Sequence, residues 1–343
     1  VQQSTTGGKE SISILDSLRA VAAMMVCLYH SAFLLNPYFP SVSSLLDWGQ
    51  EGVYVFFVIS GMVMPLSMEK IAYRISDFPV FMGKRILRLQ PPMIVSACIV
   101  ALTSWTMLNT EAHNGWQLLA ASATLTAPFF DLPWVNGIYW TLFVEMQYYI
   151  YIALAYPILT SPSILKRSFI VALLLSLSFT SLAMEGNEAK ANLPFHLPVF
   201  LMGYYLFMKY KKRVSDMEFW IGLAACTLVC AYLTGVLHGL GFRIVLVALT
   251  TALLIRFTRR GWNWLGKIGE VSYSIYLMHW PIISALCFLL GGILKTAWGN
   301  AVVFTCIQIS AVLFAFVFYR MVEKPSLQWA KQLRFRRNTQ DRS

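Results

Sequence analysis

The sequence predicts an all-α, polytopic transmembrane helical bundle of about ten spans, and three observations carry that prediction. The chain of 343 residues is 57% hydrophobic and only 13% charged, with a mean hydropathy of +0.61. Apolar runs of about 20 residues, the length that crosses a bilayer core, recur along it. Its Lys and Arg residues gather in alternate connections. A soluble domain cannot hide this much apolar surface, so soluble enzymes and nucleic-acid-binding modules are excluded despite the net charge of +11.

Ten spans can be drawn, near residues 13–35, 49–68, 90–109, 138–160, 168–184, 193–209, 218–234, 241–257, 271–290 and 298–320. The fifth and sixth are short or weak, so nine or eleven spans also fit. With ten, the second, fourth, sixth and eighth loops and the C-terminal segment hold 22 of the 27 Lys and Arg residues. Cytoplasmic loops carry such an excess, which predicts both termini inside and the odd-numbered loops outside. A polar tail (1–11) and a basic tail (321–343) flank a single membrane domain over 12–320. RFRR at 334–337 reads as contact with anionic lipid.

Between spans two and three, MEKIAYRISDFPVFMGKRILRLQPP suits a helix lying at the membrane surface, with Pro91 and Pro92 in the first turn of span three. The outer loop near 110–137 carries Trp116, Pro128 and Trp134 but no Lys or Arg, and can dip towards the membrane as a lid. All six cysteines fall within spans and form neither a disulfide framework nor a metal site. The first span is too long and too polar for a signal peptide.

That first span holds the most informative residues. Arg19 and His30 are eleven residues apart, almost three helical turns, so they share one face roughly 16 Å apart. Asp16 lies one turn before Arg19. Ionisable groups in hydrocarbon face a protein interior or a water-filled path. In span four, counting residues from the outer surface puts Glu145 roughly 10 Å deep, a depth similar to that of His30. A His–carboxylate pair there would orient an imidazole, or simply join two helices. Lys84, Arg85 and Arg88 at the edge of span three suit phosphate binding or positive-inside anchoring. His279, near mid-membrane with Tyr273, Tyr276 and Trp280, is either functional or a core histidine. Arg243 can meet an anionic acceptor or snorkel to the interface. His196 and His113 read as structural or solvated.

Four segments together resemble the acyltransferase-3 family of integral membrane acyltransferases. LDSLRAVAAMMVCLYH is similar to its opening motif with Arg-x10-His spacing, and GVYVFFVISGMVM to its G-V-x-x-F-F-V-I-S-G-F. KRILRLQPP and YWTLFVEMQYYI resemble its basic-proline region and its W-S-L-x-x-E-x-Q-F-Y. SYSIYLMHWP and VEKP follow in the expected order. Ser17 and Ala20 stand where the family has glycines, and Met146 replaces a second acid after Glu145.

The resemblance implies acyl transfer, commonly acetyl, from cytoplasmic acyl-CoA to a hydroxyl of an extracytoplasmic polysaccharide or lipid-linked glycan. It implies a multi-pass protein of the bacterial cytoplasmic membrane, with acyl-CoA as donor substrate and no bound cofactor or metal. On this reading Arg85, Arg88 and Lys84 meet the CoA phosphates and the pantetheine arm threads past Arg19. His30 acts as general base with Glu145 orienting it, or forms an acyl-His intermediate. Asp16, His279 and Arg243 support the site. Some relatives carry a fused esterase-like domain; none is expected in these residues, so the chain acts directly or through a separate partner. A proton-coupled transporter of a small anionic solute is the competing class, because intramembrane His, Arg and Glu also serve proton relays.

Overall fold

A computed structural model describes residues 13–107, 115–184, 191–238, 242–258 and 260–333. Both terminal tails from the sequence analysis, His113 and the RFRR run lie outside these residues, apart from 321–333 of the basic tail. The described residues are helical and contain no strand. Eight helical stretches are long and apolar enough to cross a membrane, the first being Ser13–Leu34 and the last Ala297–Gln332. These eight and two further helices, Leu193–Tyr210 and Phe242–Phe257, stand where the ten spans were drawn.

The main helices are α1 (Ser13–Ser31), α2 (Pro40–Leu46), α3 (Gly52–Lys70), α4 (Phe78–Met107), α5 (Gly115–Ala123), α6 (Tyr139–Leu159) and α7 (Ile164–Ser178). They continue as α8 (Leu193–Tyr210), α9 (Asp216–His238), α10 (Phe242–Phe257), α11 (Asn263–Glu270), α12 (Ser272–Leu289), α13 (Ala297–Phe318) and α14 (Lys324–Gln332).

Helix α8 explains why its apolar signal is weak. It is buried almost throughout, from Leu193 to Met208 save Pro194. A helix sheathed by protein tolerates the tyrosines, prolines and His196 that a lipid-facing helix would not. It crosses α3 where two glycines meet. A Cβ on Gly61 would lie 2.1 Å from the Phe200 carbonyl oxygen, and one on Gly203 2.1 Å from that of Val58. Membrane helices approach this closely only through small residues. His196 sits among the rings of Tyr54, Phe57, Trp140 and Phe195, a packing position.

The start of α1 is clipped to the segment that leads into α11. Ser13 Oγ accepts the Gly261 N–H at 2.9 Å and Ser17 Oγ the Trp262 N–H at 3.0 Å. Ser17 therefore has a bonding role at a position where the resembling family has glycine.

Helix α4 corrects the sequence reading. The expected surface helix and the third span are one 30-residue helix, and Pro91 and Pro92 lie in its middle. Two prolines leave the carbonyls of Leu87 and Arg88, four residues earlier, without their helical N–H partners. The Ser326 hydroxyl, at the start of α14, donates to both, at 3.1 Å for Arg88. Tyr273 OH donates to the next carbonyl, Leu89, at 2.8 Å. The Ser326 side chain thus serves the freed backbone groups, and the helix continues.

Candidate active site

Two cavities line up along α1 and α3. The arginine cavity, about 240 Å³, is lined by Asp16 and Arg19 of α1, Ser60 of α3, Arg88 of α4 and Glu145 and Tyr149 of α6. Tyr273 and Tyr276 of α12 and Glu323 also line it. Glu323 falls in a π-helical turn, Tyr319–Glu323, between α13 and α14. The histidine cavity, about 710 Å³, is lined by Tyr29 and His30 of α1, Gln50, and the stretch that leads into α6. Val53 and Tyr276 line both cavities.

The arginine cavity is wired by short polar contacts. Glu145 Oε1 accepts from Ser60 Oγ at 3.0 Å and from the Tyr149 hydroxyl. Glu323 Oε2 accepts from Ser274 Oγ at 2.5 Å. Arg19 Nη1 lies 3.8 Å from Asp16 Oδ1, one turn earlier on the predicted stripe. Arg88 and Glu145 line the same cavity as Arg19. Carboxylates outnumber arginines around this space, because Asp16, Glu145, Glu270 and Glu323 face Arg19 and Arg88. Tyr149 is one turn after Glu145, so its place beside that carboxylate was available from spacing alone. Ser60 and Glu323 lie within quoted motifs, but only the fold brings them to the cavity.

The three basic residues before the prolines have separate fates. Arg88 lines the cavity, whereas Lys84 and Arg85 are not among its lining residues. Arg85 donates from Nη2 to Ser67 Oγ at 2.8 Å and stacks over Phe81 and Tyr149 at 5.1 and 5.6 Å from the ring centres. Arg243 does not line the histidine cavity either. It lies over the Trp48 ring at 5.0 Å.

His30 and Glu145 do not form the expected pair, since they line different cavities. The depth count started α6 at the outer surface. Pro128, Asp131, Trp134, Gly137 and Ile138, all before α6, themselves line the histidine cavity. The point where α6 begins is therefore a wall of that cavity, and Tyr276 OH holds it there by donating to the Ile138 carbonyl at 2.9 Å. The rings beside His30 are Tyr29, His279 and Trp280, with centroids at 4.9, 5.1 and 5.5 Å.

The histidine cavity mixes aromatic and polar walls. Phe129, Trp134, Trp140 and Phe143 contribute rings; Gln50, Asp131 and Asn192 contribute hydrogen-bonding groups. Asp131 closes the short 3-10 turn Ala127–Phe130 in the left-handed conformation, with φ 51°. Such a wall suits a ligand with one apolar face and several hydroxyls.

The chain is also similar to known proteins. A family model described as an acyltransferase domain, of the acyltransferase-3 type, matches residues 12–320. A protein of Komagataeibacter xylinus named as a membrane-bound transacylase, BcsY, is 26% identical over 314 residues, covering 80% of this chain and 74% of that protein. An O-acetyl transferase of Shigella phage Sf6 is 29% identical over 199 residues, 54% of this chain and 56% of its own length. A Bacillus subtilis protein named as a peptidoglycan O-acetyltransferase, YrhL, is 26% identical over 317 residues, 78% of this chain but 48% of its own length. The chain thus spans about half the length of the latter two. No solved structure matches it.

Proposed function

The chain belongs to the acyltransferase-3 family and is a multi-pass membrane acyltransferase, and we propose that it moves an acetyl group from cytoplasmic acetyl-CoA to a hydroxyl of an extracytoplasmic glycan. The observation that carries this reading is the pair of cavities meeting at Val53 and Tyr276, one holding Arg19 and Arg88 and the other His30.

The donor binds in the arginine cavity, on the side of the Lys- and Arg-rich loops. Its small volume and excess of carboxylates suit the neutral pantetheine arm better than a phosphate. The phosphates therefore stay at the mouth, with Arg88 the nearest guanidinium inside. A sugar enters the histidine cavity, its ring face against the aromatic side chains and its hydroxyls to Asp131, Gln50 and Asn192.

His30 is the general base. It takes the proton of the acceptor hydroxyl as that oxygen attacks the thioester carbonyl carbon. The tetrahedral intermediate collapses, the C–S bond breaks, and the CoA thiolate takes the proton back from His30. The products are an acetyl ester and free CoA. Glu145, lodged between Ser60 and Tyr149, offsets the charge of Arg19 and keeps the donor channel in shape. Asp16 does the same from α1.

The test is acetyl transfer in inside-out membrane vesicles given labelled acetyl-CoA, with the label recovered as alkali-labile ester on glycan. His30→Ala should lower transfer by on the order of 10²-fold or more without loss of acetyl-CoA binding. A folded His30→Ala protein with a near wild-type rate overturns the assignment. Movement of an anionic solute without any ester formation would favour the transporter class instead.

A further inference from the structure

His279 is a buried imidazole with one nitrogen unaccounted for. Its residue is 0% exposed. Nδ1 lies 3.3 Å from the Ile275 carbonyl oxygen, one turn earlier on α12. A carbonyl can only accept, so the proton of a neutral His279 is on Nδ1 and Nε2 carries a bare lone pair. Nε2 has no hydrogen-bond partner among the described residues. A buried acceptor left empty in this way needs a reason.

Two rings approach His279. Tyr276, at 5.9 Å between centroids, has its hydroxyl committed to the Ile138 carbonyl at 2.9 Å and to Thr141 Oγ1 at 2.6 Å. The other is His30, at 5.1 Å and inclined by only 30°. Imidazoles at this separation reach hydrogen-bond distance, about 2.8–3.2 Å between nitrogens, by a modest ring rotation. Catalytic hydrogen bonds are commonly loose in the absence of substrate and tighten when it binds.

We propose that His279 is the positioning residue of His30, its Nε2 accepting the His30 N–H and so fixing the tautomer whose other nitrogen is free to take the acceptor proton. The proposal rests on the reading of His30 as base. It assigns to a neutral imidazole the orienting task that a carboxylate performs in other acyl transfers. A neutral orienter suits this buried position, because a permanent second charge in an apolar interior is costly. When His30 takes the hydroxyl proton, both of its nitrogens donate. One bond goes to His279 Nε2, and the other proton leaves on the thiolate. Both histidines end each turnover as they began.

The experiment uses the same vesicles, labelled acetyl-CoA as probe, and three substitutions. His279→Phe keeps the ring volume and loses the acceptor atom; His279→Gln keeps an acceptor oxygen at similar reach. His279→Phe should lower kcat on the order of 10- to 100-fold at unchanged KM for acetyl-CoA. His279→Gln should stay within about 5-fold of wild type. In a His30→Ala background, His279→Phe should cause no further loss, because its only target is gone. Should His279→Phe not fold, His279→Met, which repacks easily, takes its place. Three results overturn the proposal: a His279→Phe rate equal to wild type, equal losses in the Phe and Gln variants, or a further loss on the His30→Ala background. Failure of the underlying reading looks different, since then the wild type transfers no acetyl group or His30→Ala still transfers it.

Discussion

Replacing Ser326 by alanine tests how α4 survives two consecutive prolines. Ser326 is fully buried, and its hydroxyl reaches both carbonyls that Pro91 and Pro92 leave free. One hydroxyl has one proton, so the two acceptors share a single bond rather than enjoying two. Losing it strands a backbone acceptor in a low-dielectric setting, at a cost of about 1–3 kcal/mol. That corresponds to a fall in Tm of about 1–4 °C for a chain of this size. Thermal unfolding of the detergent-solubilised protein, followed by loss of the monodisperse peak, measures it. The decisive comparison is the same substitution in a Pro91→Ala, Pro92→Ala background. There the restored N–H groups serve Leu87 and Arg88 from within the helix, and Ser326→Ala should cost well under 1 kcal/mol. An equal Tm loss in both backgrounds would refute the reasoning, because the hydroxyl would then be acting on something other than the proline-freed carbonyls.

The remaining predictions concern the site, the crossing and the topology. Arg88→Ala should raise the apparent acetyl-CoA constant on the order of 10-fold or more at similar saturated rate, as expected for one lost charge-assisted contact. Arg85→Ala, which instead loses Ser67 and two ring contacts, should lower stability with little change in that constant; titration of both variants decides. Gly203→Val should destabilise the α3–α8 crossing by about 1–3 kcal/mol or more, seen as reduced yield and Tm, because its Cβ would meet backbone rather than a yielding side chain. With the six native cysteines replaced, Ile75→Cys should be shielded from an impermeant thiol reagent in intact cells and Gly115→Cys should react. Labelling at 75 from outside would reverse the side assigned to the donor.

What the sequence made legible was local. The apolar runs marked the helices in order, and the Arg19–His30 spacing marked the stripe that α1 presents to both cavities. Three features depended on distant residues and left no local trace. The separation of Glu145 from His30 could not be read locally, because the stretch before α6 lines the histidine cavity and is held there by Tyr276 from a helix over a hundred residues later. Pro91 and Pro92 read as a helix start because Ser326, which lets the helix pass them, is more than two hundred residues away. The approach of His279 to His30 joins α12 to α1 and has no signature in either segment. Basic residues were the most ambiguous class. Arg167, counted as a topology signal, is buried in a forked ion pair with Glu218 at 3.0 and 3.1 Å.

Val53 and Tyr276, the residues common to both cavities, would serve on the proposed route as an insulator. Two openings that meet inside a membrane threaten to short-circuit the gradients across it, and an enzyme working by the proposed route must pass cargo without passing current. Tyr276 is anchored through its hydroxyl to Ile138 and Thr141, so the partition is stiff on one side, while Val53 offers only a small apolar surface on the other. Every charge carried through would work with or against the membrane potential, about 2.3 kcal/mol per 100 mV. An acetyl group carries none. On the proposed route only that neutral fragment is handed over while the phosphates of its carrier stay behind, so the exchange would be electrically silent and its driving force would not depend on the voltage the cell maintains.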